Sequence, residues 1–295
     1  MTSDPPPAVE KPQSRRKFLR RAVRGCLLGG VGALGYAYGI EPHWVDLVRI
    51  PMPIAHLPDD WVGRRIVQIS DIHIGESVAD SYMQQSLAGL AELNPDLIAI
   101  TGDFMTSRRD EQVDHALEVL QYLPPTLLGR FAVLGNHDYG RSTTDIQTAG
   151  RLTNGLTDLN IQMLRNEVTD VAGLQLAGLD ELLSRRCLIK PTLRQLDPQR
   201  PMLALCHNPD AADQPGWEDF QGWILAGHTH GGQCKLPGFG PPITPVWNKR
   251  YTAGTFQLSG NRRMYINRGL GYFYRVRFNC RPEVTLFTLE REETV

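Results

Sequence analysis

Short apolar runs with polar stops set the rhythm of this chain. Arg65-Ile66-Val67-Gln68-Ile69-Ser70 leads into Asp71-Ile72-His73, Leu97-Ile98-Ala99-Ile100-Thr101 into Gly102-Asp103, and Phe131-Ala132-Val133-Leu134 into Gly135-Asn136-His137-Asp138. Farther on, Met202-Leu203-Ala204-Leu205-Cys206 leads into His207-Asn208, and Trp223-Ile224-Leu225-Ala226 into Gly227-His228-Thr229-His230. Runs this short, bounded by turn residues, predict buried strands. Between the first three the pattern turns helical: near 80–93, stopped by Asn94-Pro95; near 111–123, stopped by Pro124-Pro125; and near 144–159. The order β-α-β-α-β predicts a mostly parallel sheet with helices outside it. The second half offers strands at 162–164, 168–171, 174–179, 202–206 and 223–226, with one helical stretch near 193–196. After Gly240-Pro241-Pro242 it offers strands at 255–258, 263–266, 272–278 and 284–289. The expected fold class is α/β, with two packed mixed β-sheets flanked by helices, the second sheet rich in antiparallel strands.

Charge divides the chain before chemistry does. Lys11 to Arg24 holds Lys11, Arg15, Arg16, Lys17, Arg20, Arg21 and Arg24 and no acid, and Gly25–Ile40 that follows is uncharged and rich in Leu, Gly, Ala and Val. A basic segment before a short apolar one reads as an export signal, and Ser14-Arg15-Arg16-Lys17-Phe18-Leu19 has the paired arginines of the twin-arginine type. The apolar stretch is shorter than the ~20 residues of a comfortable transmembrane helix. No clean cleavage site follows it, so an uncleaved anchor formed by residues 25–40 is favoured over removal. The positive-inside rule places the remainder across the inner membrane, periplasmic or on the outer face. The expected organisation is 1–13 disordered, 14–40 signal or anchor, 41–63 a proline-bearing linker, and 64–295 one domain. The chain has 295 residues with 41% hydrophobic and 21% charged content, ordinary for a globular protein. Beyond Arg24 there are 24 basic and 30 acidic residues, so no nucleic-acid partner is expected. The five cysteines form no C-x-x-C pair, which disfavours a zinc ribbon. Buried free thiols are expected, with an approach of Cys206 to Cys234 as the alternative.

The polar stops gather one kind of chemistry. Ligands collect beyond the carboxyl ends of strands in open α/β sheets. These ends offer Asp71, His73, Asp103, Asn136, His137, Asp138, His207, His228 and His230. Taken singly each has an ordinary reading: a strand-end hydrogen bond for Asp71 and His73, a turn for Gly102-Asp103, a helix cap for Asn136–Asp138, a core histidine for His207. Taken together, a mixture of carboxylate, imidazole and carbonyl donors suits a pair of divalent cations. Two such ions about 3.5–4 Å apart clamp phosphoryl oxygens and acidify water.

The ordered set Asp71-x-His73, Gly102-Asp103, Gly135-Asn136-His137-Asp138, His207 and Gly227-His228-x-His230 resembles the calcineurin-like metallophosphoesterase family over nearly all of residues 64–290. The paired arginines, His207-Asn208-Pro209-Asp210, Gly227–Gln233, Lys249-Arg250-Tyr251 and Cys280-Arg281-Pro282-Glu283-Val284 are similar to a twin-arginine-exported group of bacterial phosphodiesterases within it. The resemblance implies the four-layer αββα sandwich. It implies that Asp71, His73 and His230 bind one metal, that Asn136, His207 and His228 bind a second, and that Asp103 bridges them. It implies in-line attack on phosphorus by a hydroxide between the metals, with His137 as general acid and Asp138 orienting His137 or raising its pKa. The metals implied are Mn, Fe or Zn.

The expected activity is therefore that of a dimetal phosphodiesterase. The alternatives are a pyrophosphatase acting on a nucleotide-linked lipid of the UDP-diacylglucosamine type, or a catalytically silent metal-binding module. Expected partners are a phosphoester substrate, lipid-linked in the first alternative, the membrane through the N-terminal segment, and the twin-arginine export machinery; a monomer is expected. Core packing is favoured for Trp217, Phe220 and Tyr272-Phe273-Tyr274. Arg268 is read either as a phosphate contact or as a solvated turn residue.

Overall fold

The computed structural model describes residues 15–106 and 112–292. The stretch read as disordered (1–13), Ser14 of the twin-arginine pattern and the first residue of the helix expected from 111 lie outside the described residues. The first sheet contains β1 (Asp46–Ile54), β2 (Arg65–Ile69), β3 (Leu97–Thr101), β4 (Arg130–Val133), β5 (Ile161–Met163) and β12 (Glu283–Arg291), in the order β1-β12-β2-β3-β4-β5. The second contains β6 (Glu167–Val171), β7 (Leu174–Gly178), β8 (Met202–Leu205), β9 (Trp223–Ala226), β10 (Gly254–Gln257) and β11 (Arg263–Ile266), in the order β10-β11-β9-β8-β7-β6. Both are mixed. β2, β3, β4 and β5 run parallel, as do β7, β8, β9 and β11. The second sheet is therefore mainly parallel, not rich in antiparallel strands as expected: only its edge pairs β6–β7 and β10–β11 are antiparallel.

Alternation of side chains across each strand builds the layers. Leu97 and Ala99 of β3 join Leu203 and Leu205 of β8 and Trp223 and Leu225 of β9 in the core between the sheets. Ile98 and Ile100 point the other way, onto α2 (Asp80–Gly89), α3 (Gln112–Leu120) and α4 (Ile146–Asp158), where Leu87, Val119 and Leu152 meet them. Met202, Ala204 and Ile224 face the far side of the second sheet, under α5 (Ile189–Leu193), Trp217 and Phe220. Helix, sheet, sheet, helix is the expected four-layer arrangement. It also explains the runs: strands covered on both faces are apolar throughout.

Three local expectations need revision. The segment 41–63 is not merely a linker, because β1 lies in it and pairs in parallel with β12 from Asp46↔Glu283 to Ile54↔Arg291. Pro51 and Pro53 rule out a helix there but are tolerated on an edge strand, and β1 is the edge. Residues 272–278 form no strand: Tyr272 enters the first core cluster while Tyr274 is exposed, so the aromatic run is divided between core and surface. The short helix near 193–196 sits at Ile189–Leu193 instead. At the N-terminus, α1 (Arg15–Gly35) has no buried residue. Among the described residues no helix is long and apolar enough to cross a membrane.

Candidate metal centre

The carboxyl ends of β2, β3 and β4 meet those of β8 and β9 at one edge of the sandwich. Backbone bonds extend the pairing within each sheet there, and a bond from backbone to side chain crosses between them. Asp71 N–H donates to Gly102 O at 2.9 Å and Gly227 N–H to His207 O at 2.9 Å. His228 N–H donates across the sheets to Asp71 Oδ2 at 2.9 Å. The close fit excludes side chains at key turns. A Cβ on Gly102 would lie 2.5 Å from Gly135 N and 2.8 Å from His207 Nδ1, and one on Gly227 would lie 1.9 Å from Ser70 Oγ. Asp71, His73, Asp103, His228 and His230 all hold positive φ, between 49° and 70°. Such backbone is uncommon for non-glycine residues and marks places where the surrounding fold dictates conformation.

Seven donors converge. Asp71, His73 and His230 present ligand atoms within 4.8 Å of one another, as do Asp103, His207 and His228. Asp103 Oδ2 stands 3.5 Å from His73 Nε2 and 3.3 Å from His207 Nε2, and so faces both groups. Asn136 is buried and its Oδ1 has no hydrogen-bond partner. An orphaned buried carbonyl beside six ligand-type side chains fits a donor waiting for a cation.

The second group passes a sharper test. His207 Nδ1–H donates to Thr101 O at 2.8 Å, and His228 Nε2–H donates to Pro245 O at 3.0 Å. A carbonyl only accepts, so these bonds place a proton on each of those nitrogens. The opposite nitrogens, His207 Nε2 and His228 Nδ1, are 3.0 Å apart. In neutral rings that sets two lone pairs against each other, an arrangement relieved by a proton or a metal ion between them. Carbonyl partners that fix a histidine's tautomer are the usual outer support of a metal site. In the first group His73 Nε2 and His230 Nε2 also lie 3.0 Å apart, with both Nδ1 atoms buried and unpartnered.

Electrostatics agree with cation binding. Burial alone pushes the Asp71 and Asp103 carboxyls up, yet neighbouring imidazoles, His230 and His207 first among them, carry both below the ordinary carboxylate range. Burial pulls His207 down, but Asp103 raises its pKa to about 10. Burial and the nearby His207 lower His228 to about 4. Burial holds His73 well below its usual value despite Asp103.

His137 and Asp138 separate in role. The His137 ring lines a cleft of about 480 Å³ whose floor includes His73, Asp103, Asn136, His228 and His230. The ring centroid is 5.1 Å from that of His73 and 5.2 Å from that of Phe273, and the backbone N–H of His137 donates to Asp103 Oδ1 at 2.9 Å. The Asp138 carboxylate instead accepts from the amides of Asp103 and Phe104 at 2.9 Å each and of Gly135 at 2.8 Å. It therefore ties the Asp103 and Asn136 turns together, and these amide bonds, in place of the expected pairing with the His137 ring, account for its burial. Burial first, and then Asp103, raise its pKa to about 8 against the pull of those donors.

The structure adds residues that the strand-end pattern did not expose. Buried Asp210 accepts from Trp247 N–H and from Asn248 N–H at 2.6 and 3.0 Å, and the Lys249 ammonium donates to Thr244 O at 2.9 Å. These bonds hold the loop whose Pro245 carbonyl orients His228. Asp210 belongs to the His207-Asn208-Pro209-Asp210 motif, so its signal was in the sequence, whereas a carbonyl at Pro245 has none. Arg268 is neither a phosphate contact nor a solvated turn residue: it pairs with Glu283 and, at 2.8 Å, with Asp46. Trp217 and Phe220 lie in the core. The five cysteines are free thiols. An Asp210→Ala variant strands two amides, which costs about 2 kcal/mol in thermal or denaturant unfolding. Where divalent cations fill both groups, calorimetry with Mn²⁺ as the probe should show the step at His207 and His228 weakened by about 10-fold or more and the other step in place.

Comparison with known proteins places this geometry. The calcineurin-like phosphoesterase family model matches residues 64–232. The chain is 33% identical to the Bacillus subtilis (strain 168) protein named uncharacterized metallophosphoesterase YkuE, over 95% of this chain and 99% of that one. It is 33% identical to phosphodiesterase YaeI of Escherichia coli (strain K12), over 94% and 99%. It is 28% identical to the UDP-2,3-diacylglucosamine pyrophosphatase LpxG of Chlamydia muridarum (strain MoPn / Nigg), over 85% and 91%. The residues matched by the family model include every one of the seven converging donors, and the chain belongs to the calcineurin-like phosphoesterase family.

Proposed function

We propose that this protein is a phosphodiesterase with two divalent cations in its site. The carrying observation is Asp103, whose Oδ2 faces a histidine of each three-residue group at 3.5 and 3.3 Å. One carboxylate shared by two groups is what a paired-ion site requires. Asp71, His73 and His230 hold one ion, Asn136, His207 and His228 the other, and Asp103 joins them. When bound, such ions supply Lewis acidity toward phosphoryl oxygens and lower the pKa of water.

The chain's own side chains do the rest. Thr101 and Pro245 carbonyls keep His207 and His228 in the tautomers that expose their ligand nitrogens. Asp138 fixes the Asp103 turn through backbone amides. The His137 imidazole, at the cleft wall and against Phe273, delivers a proton to the leaving oxygen. We further place the domain outside the inner membrane, held by the segment around α1 after twin-arginine export. The basic Arg15–Arg24 run and the apolar residues after it support that placement.

Purified chain loaded with Mn²⁺ hydrolyses bis(p-nitrophenyl) phosphate, and chelation followed by dialysis abolishes the activity until metal is returned. Metal analysis giving two ions per chain without turnover would instead identify a silent binding module. A second reading, cleavage of a nucleotide-linked lipid pyrophosphate, draws on the LpxG relative and on the apolar cleft residues Leu183, Ile243 and Phe273. Faster turnover of a nucleoside diphospho-lipid than of the aryl diester would favour it.

A further inference from the structure

The segment from Arg268 to Arg281 joins the cleft to the base of α1. Its Phe273 and Tyr274 line the cleft. The next residue, Arg275, sets its guanidinium over the Tyr38 ring at 5.0 Å, and Arg277 N–H donates to Ala37 O at 2.9 Å. Asn279 and Cys280 amides donate to the buried Glu41 carboxylate, and Arg281 stacks over Trp44 at 4.5 Å. The loop 234–247 is fastened to the same spine, since Lys235 N–H donates to Phe278 O at 2.8 Å. Cleft mouth, loop and the exit of α1 therefore occupy one face of the molecule.

That face is apolar where water would otherwise be met. Phe239 is 88% exposed, Ile243 78%, Trp247 67% and Tyr274 65%. Beside them Tyr38, Ile40 and Trp44 are exposed, and so are Leu28, Val31 and Leu34 of α1. Scattered apolar side chains on a surface mean little, but Ile243 and Tyr274 line the cleft itself and Phe239 and Trp247 flank Ile243 in the same loop, which marks a contact site. Charge selects the partner. Residues 233–251 and 268–281 contain no Asp or Glu, while Lys249, Arg250 and Arg275 are exposed there. Tyrosine and tryptophan rings among basic side chains suit the headgroup layer of an anionic bilayer. α1 is not long and apolar enough to cross a membrane, and a weak single attachment becomes firm when a second joins it.

We propose that this face docks on an anionic lipid bilayer. The 234–247 loop and Tyr274 enter the headgroups beside the base of α1, and the cleft opens onto the membrane surface. Phosphoesters in that leaflet then reach the metal centre without leaving the membrane. The docking builds on α1 as a membrane-bound segment and is independent of which phosphoester bond is cleaved.

The test uses the full chain bound to vesicles of phosphatidylglycerol and phosphatidylethanolamine. A photoreactive benzophenone analogue of phenylalanine replaces Phe239 in one variant and Leu127 in another. Leu127 is 73% exposed and precedes β4, at the opposite end of the strands from the cleft. Mass spectrometry should find about 10-fold more lipid adduct from the Phe239 position than from the Leu127 position. Equal adducts in a chain that floats with the vesicles would overturn the docking while sparing the α1 attachment. Adducts at Phe239 to a second copy of the chain would overturn it in favour of self-association. Failure to float would overturn both. Hydrolysis of the soluble aryl diester, measured on the same samples, reports separately on the phosphodiesterase reading.

Discussion

Asp103→Asn is expected to remove metal from both halves of the proposed two-ion site and to lower hydrolysis of the aryl diester by about 10³-fold or more. The substitution keeps the side chain's size and leaves an oxygen for the His137 amide, now 2.9 Å from Asp103 Oδ1. It removes the negative charge that faces His73 at 3.5 Å and His207 at 3.3 Å, and puts an amide there that at best offers neutral donors. A shared carboxylate serves two ions at once, so its loss is felt by both. Stabilisation of transition-state charge by metal is worth several kcal/mol, and about 4 kcal/mol corresponds to ~10³ in rate. Inductively coupled plasma analysis should find well under two ions per chain. Two retained ions with normal turnover would remove Asp103 from the bridging position.

The same variant has a pH signature without metal. In the metal-free wild-type chain Asp103, working against burial, raises His207 to about 10. A histidine whose folded pKa is raised contributes stability that is fully present below its unfolded value, near 6.5. That contribution fades as pH climbs from about 6.5 through about 10. The asparagine variant lacks the raising charge, so the difference in melting temperature between the two metal-free proteins should be largest below about pH 6.5 and shrink toward pH 10.

Much of this site was legible because each donor closes an apolar run. Buried strands advertise themselves as short hydrophobic stretches, and parallel order places their carboxyl ends together. Asp71, Asp103, Asn136, His207 and His228 were therefore found from a local pattern. What supports them was hidden for equally physical reasons. The Pro245 carbonyl acts through the backbone, which every residue carries. Asp210 stands in the His207–Asp210 motif, but nothing local says that the loop it holds reaches His228. β1 was missed because Pro51 and Pro53 argue against helix and central strand alike, and nothing local says that an edge will receive them. Residues 272–278 misled in the other direction. Their aromatic content suits a strand, but Arg277 is fully buried and donates to the carbonyls of Arg268, Gly269 and Cys280, which holds the segment as a loop.

His137→Ala separates proton delivery from metal binding. The His137 ring forms part of the cleft wall, 5.1 Å from the His73 ring, and only its backbone N–H meets Asp103. Removing the imidazole should leave two metal ions per chain and lower kcat by about 10²–10⁴-fold, the range for a lost general acid. The loss should depend on the leaving group. A p-nitrophenolate departs without much help, so the aryl diester sits at the low end of that range, whereas an alkyl diester, whose alkoxide must be protonated as it leaves, sits at the high end. Uniform loss across leaving groups, or loss together with metal, would mean that His137 holds the site's shape and does not carry the proton.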